Sequence, residues 1–201
     1  MKKKPIFFHS LDELEQEVIG KLSRGYLDKK SSFRYLVFST SKNDRVNSRI
    51  MVLRSFSSKL WELTVHSDNR SIKLDEIKSN KKVSINFWDS RKNFQIRLFG
   101  YATRFDSENE KAWSDLSVWS KRTYLSVNNP GSISKNPTSG FDEKFFNLPP
   151  TREESKKGKR NFCQIKVKIK TFDVLILNRL GYRRAFFEVK KKQLKKRWLI
   201  P

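Results

Sequence analysis

Apolar residues recur along this chain first at helical spacing and then at strand spacing. Leu11, Leu14, Val18, Leu22 and Tyr26 follow Ser10-Leu11-Asp12-Glu13, which reads as a capping box, so an amphipathic helix opens the fold. Phe33 to Thr40 predicts a strand, and Asn43-Asp44-Arg45 a hairpin turn. Next comes Arg49-Ile50-Met51-Val52-Leu53-Arg54, an unbroken apolar run between two arginines. It is short for a helix and too uniform for a half-exposed strand, which predicts a strand buried on both faces. Leu60 to His66 predicts a further strand, and Ser67-Asp68-Asn69-Arg70-Ser71-Ile72-Lys73 a polar turn leading into the helix that contains Leu74-Asp75-Glu76-Ile77. Val83, Ile85 and Phe87 alternate with Ser84, Asn86 and Trp88, and Phe94, Ile96 and Leu98 with Gln95, Arg97 and Phe99 before Gly100; both read as antiparallel strands.

A second capping box, Ser107-Glu108-Asn109-Glu110, predicts a helix through Ala112, Trp113, Leu116 and Trp119, whose spacing assigns Trp113 and Trp119 to the core. From Asn128 to Lys159 the chain is rich in Pro, Gly, Ser and Asn and reads as a long loop interrupted by a short helix over Phe141–Phe146. Strand-like runs return at Asp173–Leu177, Tyr182–Phe187 and Arg197–Pro201. The pattern gives a mainly β fold with flanking helices, in one domain spanning 1–201 with a loop near 128–160. No run approaches the ~18 apolar residues of a membrane-spanning helix. The first apolar run, Ile6-Phe7-Phe8, is too short for a signal peptide, so a cytoplasmic location is the default.

Charge adds a competing idea. Lys and Arg number 44 against 21 acidic residues, a formal net charge of +23, which suits nucleic acid or an anionic surface. The charge is dispersed, however. Lys166, Lys168 and Lys170 alternate with apolar residues as on the outer face of a strand, and Lys156-Lys157-Gly158-Lys159-Arg160 and Lys190-Lys191-Lys192 read as loops or turns. With no zinc-finger spacing, recognition-helix pattern or RNA-binding signature, a basic nucleic-acid-associated module is an alternative rather than the primary reading.

Candidate chemistry collects at the polar turn. Ser71 or Asp68 can cap the following helix, so free backbone N–H groups, hydroxyls, Arg70 and Lys73 surround one helix start, a favourable place for a dianionic phosphate. Arg49, beside the buried run, is a second candidate contact. His66 and His9 are the only histidines, and without a Cys or carboxylate set they predict no metal site. Cys163, the single cysteine, reads as a packing residue. No Ser-His-Asp or Cys-His set suggests covalent catalysis, and no catalytic residue is assigned. Gln95, taken alone, is an outward strand residue.

Taken together, the arginine followed by an apolar run and a basic residue, the serine-led turn ending in Lys73, and Gln95 ahead of Gly100 resemble the FMN-binding split β-barrel family of the pyridoxamine 5′-phosphate oxidase type. The resemblance implies a homodimer with FMN at the subunit interface. It implies that Arg49, Ser71 and Lys73, with Ile72 between the last two, hold the FMN phosphate. Ser67 and the backbone of Arg49, Ile50, Met51, Val52, Leu53 and Arg54 would line the flavin, Gln95 would hydrogen-bond its ring, His66 would stack near it, and Arg184 would reach it from the second subunit. Arg54, Arg122 and Ser126 match substrate-side positions. The oxidases also carry a tryptophan, an arginine and a histidine where this chain has Val174, Leu180 and Tyr182. The resemblance therefore implies an FMN-dependent oxidoreductase of another substrate, or a non-enzymatic FMN or haem binder, rather than a true pyridoxamine 5′-phosphate oxidase.

Overall fold

A computed structural model describes residues 8–106, 109–191 and 193–201. Its frame is a helix, α1 (Leu11–Leu27), followed by β1 (Tyr35–Lys42), β2 (Arg45–Ser57), β3 (Glu62–Asp68), α2 (Ile72–Ser79), β4 (Lys82–Asp89) and β5 (Phe94–Phe105). Then come α3 (Asn109–Ser114), α4 (Val118–Lys121), α5 (Arg152–Lys159), β6 (Phe162–Ile176), β7 (Arg183–Val189) and β8 (Leu194–Leu199). The strands form one sheet in the order β3-β2-β1-β4-β5-β6-β7-β8, and β3 also pairs with β6. That pairing closes six antiparallel strands into a barrel, with β7 and β8 as an extension. The expected mainly β split barrel with flanking helices is the observed architecture.

β6 makes both closure and extension possible because it is 15 residues long. Its first half, Phe162–Lys168, pairs with β3, and its second, Thr171–Ile176, pairs along the same edge with β7. β5 runs along its other edge, with a register shift between Phe99 and Gly100. The two-residue hairpin joining β1 to β2 places Asn43 and Asp44 at φ 47° and 60°, the left-handed pair that matches strand twist.

Inward residues of the barrel strands form one core with α1. Leu14, Val18 and Leu22 of α1 are fully buried against it, as their helical spacing predicts. Ser10 caps α1 with a single bond from the Asp12 N–H, at 3.1 Å, in place of the reciprocal box. Aromatic stacking ties the extension to the barrel: Phe172 lies 4.7 Å from Trp61 and 4.4 Å from Phe187, centroid to centroid. Each of these rings removes a large apolar surface from water.

Four expectations are corrected. The Arg49–Arg54 run is buried on one face only: Met51 and Leu53 point into the core, while Ile50 is 64% exposed. The barrel interior covers alternate residues, and Ile50 points away from it. The helix expected through Trp119 breaks after Ser114, and Ser117 caps a new turn, α4, at Val118. That break carries Trp119 out of register with buried Trp113 and Leu116, leaving it exposed under the Arg122 guanidinium. Ser107 and Glu108 of its expected capping box lie outside the described residues. The basic run 156–159 belongs to α5, whose capping box Thr151–Glu154 is formed in both directions. Finally, the short helix near 141–146 is a single 3₁₀ turn at Glu143–Phe145.

Gly100 sits where β5 shifts register against β6, and a Cβ there would stand 2.4 Å from the Lys168 carbonyl oxygen. Backbone must move to admit it, so Gly100→Ala should destabilise the protein by about 2 kcal/mol or more. Gly20, in mid-helix α1, has nothing within 4 Å of its Cβ position, and Gly20→Ala should instead stabilise by roughly 0.5–1 kcal/mol. Urea unfolding of the two variants checks both signs.

Candidate flavin site

One end of the barrel gathers the polar turn between β3 and α2, the ends of β1 and β2, and the first turn of α2. Ser71 is the N-cap of α2 but makes no side-chain cap; its Oγ instead accepts a hydrogen bond from Lys73 Nζ. Lys73 Nζ also donates to Ser67 Oγ at 3.1 Å. Among the described residues, both hydrogen-bond partners of Lys73 are hydroxyls, and no carboxylate forms an ion pair with it. Burial pushes its pKa below the ordinary lysine value, and the Arg49 guanidinium adds to the effect. A half-buried ammonium beside a second cation is the arrangement an incoming anion relieves.

Arg49 approaches the same place from β2. Its Nη1 donates to the Phe38 carbonyl at 3.3 Å and to Thr40 Oγ1 at 2.5 Å, and Nη2 pairs with Glu76 Oε2 at 3.1 Å. Glu76, 2% exposed, also accepts from Thr40 Oγ1 and Asn47 Nδ2. Desolvation opposes its charge. The bonds from Thr40 and Asn47 and the Arg49 charge outweigh that burial and hold the carboxyl below its usual value. Sequence reasoning missed Glu76, Thr40 and Asn47; β1–β2 pairing sets Thr40 beside Asn47, and the packing of α2 against them brings Glu76 to Arg49. Arg70, expected at the same helix start, is turned away. It pairs with Asp68 at 2.7 Å and donates to the Ser126 and Val127 carbonyls.

A second polar region lies on the outer side of β2, β3 and β6. Arg54, His66, Thr64 and Gln164 line a cavity of about 360 Å³ with Arg34 and Lys111. Arg54 Nε and His66 Nδ1 are buried there without a hydrogen-bond partner. Desolvation lowers the Arg54 pKa and takes His66 down to about 3, so the imidazole is neutral at ordinary pH. His66 packs edge-on against Phe162, with centroids 4.9 Å apart. Arg122 and Ser126 do not line this cavity. Arg122 donates to the Phe145 and Phe146 carbonyls between the rings of Trp119 and Phe141, and Ser126 donates to the Asn128 carbonyl.

The remaining expected residues lie on the outward sheet face. Gln95 is half-buried on β5 opposite Trp88. Arg184 and Arg97 both pair with Asp173 Oδ2 at 2.8 Å, and Asn86, opposite Arg97, has a buried and unpartnered Oδ1. Cys163 is fully buried, its thiol pushed up to about 12 by desolvation, and no candidate metal cluster occurs among the described residues. No described helix is long and apolar enough to cross a membrane.

Residues 14–106 match the family model described as pyridoxamine 5′-phosphate oxidase, FMN-binding domain. That span holds Arg49, Arg54, His66, Ser67, Ser71, Lys73 and Gln95. Over that span, just under half of its length, the chain is similar to the FMN-binding domain of the pyridoxamine 5′-phosphate oxidase type. FMN is the cofactor such a domain binds, and Lys73, with no carboxylate partner beside Arg49 and two hydroxyls, fits the phosphate of that group. No curated protein matches the chain. Among solved structures, a pyridoxamine 5′-phosphate oxidase-related, FMN binding protein from Nostoc punctiforme is 21% identical, with 92% of this chain and 97% of that one covered at a TM-score of 0.72. PhzG from Burkholderia lata, solved in complex with tetrahydrophenazine-1-carboxylic acid, is 16% identical, with 98% of each chain covered at a TM-score of 0.74. At these identities the neighbours show the shared fold.

Within the matched span, neutral His66 makes stability depend on pH. Its folded pKa, about 3, lies below the ~6.5 of an unfolded histidine. Between those values the unfolded chain binds the extra proton, so the stabilisation is complete above pH ~6.5 and is lost as pH falls towards 3, by up to about 1.4 kcal/mol per unit. Urea unfolding at about pH 6 and pH 4 should show a stability gap between wild type and His66→Phe that narrows on acidification.

Proposed function

We propose that the protein is an FMN-dependent oxidoreductase that works as a homodimer on a small anionic substrate. The observation that carries the cofactor reading is the Lys73 ammonium held by Ser67 and Ser71 beside Arg49 at the start of α2. In this reading Arg49, Lys73 and Ser71 hold the FMN phosphate, aided by the free N–H groups of the first α2 turn around Ile72. Ser67, His66 and the β2 backbone from Arg49 through Ile50, Met51, Val52, Leu53 and Arg54 line the flavin. Bound FMN supplies hydride transfer. The chain's own part is to hold the ring in place and keep water from it.

Substrate recognition falls to the cavity lined by Arg34, Arg54, Lys111, His66 and Gln164. Two guanidiniums and an ammonium around a neutral imidazole favour a phosphate- or carboxylate-bearing molecule. The unpartnered Arg54 Nε and His66 Nδ1 supply one donor and one site for either a donor or an acceptor, according to tautomer. Val174 is buried, and Leu180 and Tyr182 are exposed. None of the three brings a charge to that task, so pyridoxamine 5′-phosphate is not the expected substrate.

The dimer reading rests on the outward face of the barrel. Tyr35, Ile50, Trp88, Phe99 and Tyr101 are all more than a third exposed there. Strand pairing brings β2, β1, β4 and β5 side by side, with Ile50 opposite Val37 and Trp88 opposite Gln95. In this reading that apolar face is where the second subunit packs. On it, Gln95 and Arg184 stand where a second subunit and a shared flavin would meet.

Replacing Arg49 or Lys73 by Ala should weaken FMN binding by roughly 1.5–3 kcal/mol, about ten- to a hundredfold. Fluorescence titration of purified protein measures this, and unchanged affinity in both variants would overturn the phosphate assignment. Light scattering should return twice the 23.9 kDa chain mass; a monomer binding one FMN would contradict the shared site.

A further inference from the structure

We propose that Glu76 is a built-in counter-charge of the phosphate site, fixing Arg49 in place while limiting how tightly the site holds FMN. This rests on the reading of Arg49 and Lys73 as phosphate contacts.

The positioning half follows from counting donors. A guanidinium has five N–H groups. Both hydrogens of Arg49 Nη1 are taken, by the Phe38 carbonyl and Thr40 Oγ1, and one on Nη2 goes to Glu76. What remains for a ligand is the second Nη2 hydrogen and the Nε hydrogen. Without the Glu76 carboxylate, Arg49 Nη2 and Asn47 Nδ2 each lose an acceptor, and Thr40 loses the acceptor of its hydroxyl proton. The guanidinium then loses one of the three contacts that fix it.

The limiting half follows from counting charge. Arg49 and Lys73 are the two cations of the site, since Arg70 is matched by Asp68. Glu76 is buried and kept ionised by its three donors, so the pair of cations is reduced to a net single positive charge. FMN brings a phosphate close to dianionic at neutral pH. The site therefore under-compensates its ligand, and Glu76 repels the phosphate through a partly desolvated medium where the interaction is stronger than in water.

A glutamine at this position separates the two roles. Its carbonyl can accept from Thr40 and Arg49, and its amide can face Asn47 once the Asn47 side chain flips. The hydrogen bonds survive and the negative charge does not. Alanine removes both.

Apo-protein is titrated with FMN and with riboflavin, which lacks the phosphate, for wild type, Glu76→Gln and Glu76→Ala, with thermal unfolding confirming the folded state. Glu76→Gln is expected to bind FMN about five- to tenfold more tightly than wild type, and Glu76→Ala about tenfold more weakly, with riboflavin affinity unchanged in both. A change that moves FMN and riboflavin equally indicates a purely structural role and overturns the proposal, as does FMN affinity unchanged or weakened in Glu76→Gln. Should Glu76→Ala fail to fold, the FMN-to-riboflavin ratio of Glu76→Gln decides alone. Equal affinity of the wild type for the two flavins overturns the phosphate site itself, whereas a wild type that prefers FMN with an unshifted Glu76→Gln overturns only the role of Glu76.

Discussion

The long strand β6 is the constraint on which the rest of the molecule depends. One edge of it must serve two partners in succession, β3 to close the barrel and β7 to extend the sheet. Closure pairs the outer edge of β3 and leaves β8 as the edge strand of the sheet. It also decides where the chemistry can be, because pairing Val65 with Ile165 and Ser67 with Cys163 holds the end of β3, and hence the turn into α2, at a set place on the barrel rim. Phe172 stacked between Trp61 and Phe187 seals the junction of the two halves.

Placed on that rim, the candidate phosphate site is a set of cations that the fold keeps partly dry. Lys73 and Arg49 are not left to solvent as most surface lysines and arginines are. Their neighbours are hydroxyls, a backbone carbonyl and the single carboxylate of Glu76. Such a site is costly without a ligand and would be relieved by an anion. The basic surface elsewhere is of a different kind: Lys168 lies exposed on the outer face of β6, and Lys156 and Lys157 lie exposed on α5.

Much of the fold could be read from the chain because its local signals agree with its global pairing. Leu14, Val18 and Leu22 keep one helical face, Asn43-Asp44 supplies the left-handed turn, and Phe94, Ile96 and Leu98 alternate strictly. The errors came where a local signal was weaker than its context. Thr151-Arg152-Glu153-Glu154 is a capping box within an otherwise loop-like stretch, and it outweighed the surrounding Pro, Gly and Asn to start α5. At Trp119 the helical period was real on paper, but the new cap at Ser117 reset its phase.

For the site, the sequence by itself determined the residues that sit on one continuous local element: Ser67, Ser71 and Lys73 along a single turn and helix start, and Arg49 and Arg54 flanking one strand. Backbone spacing alone carries that information. Which long side chains converge there depends on packing, since Thr40 and Glu76 reach Arg49 from β1 and α2, while Arg70 and Arg122 are drawn off by Asp68 and by the Phe145 and Phe146 carbonyls. A long cationic side chain can swing to any acceptor within its reach, and which acceptor that is depends on how the chain packs around it.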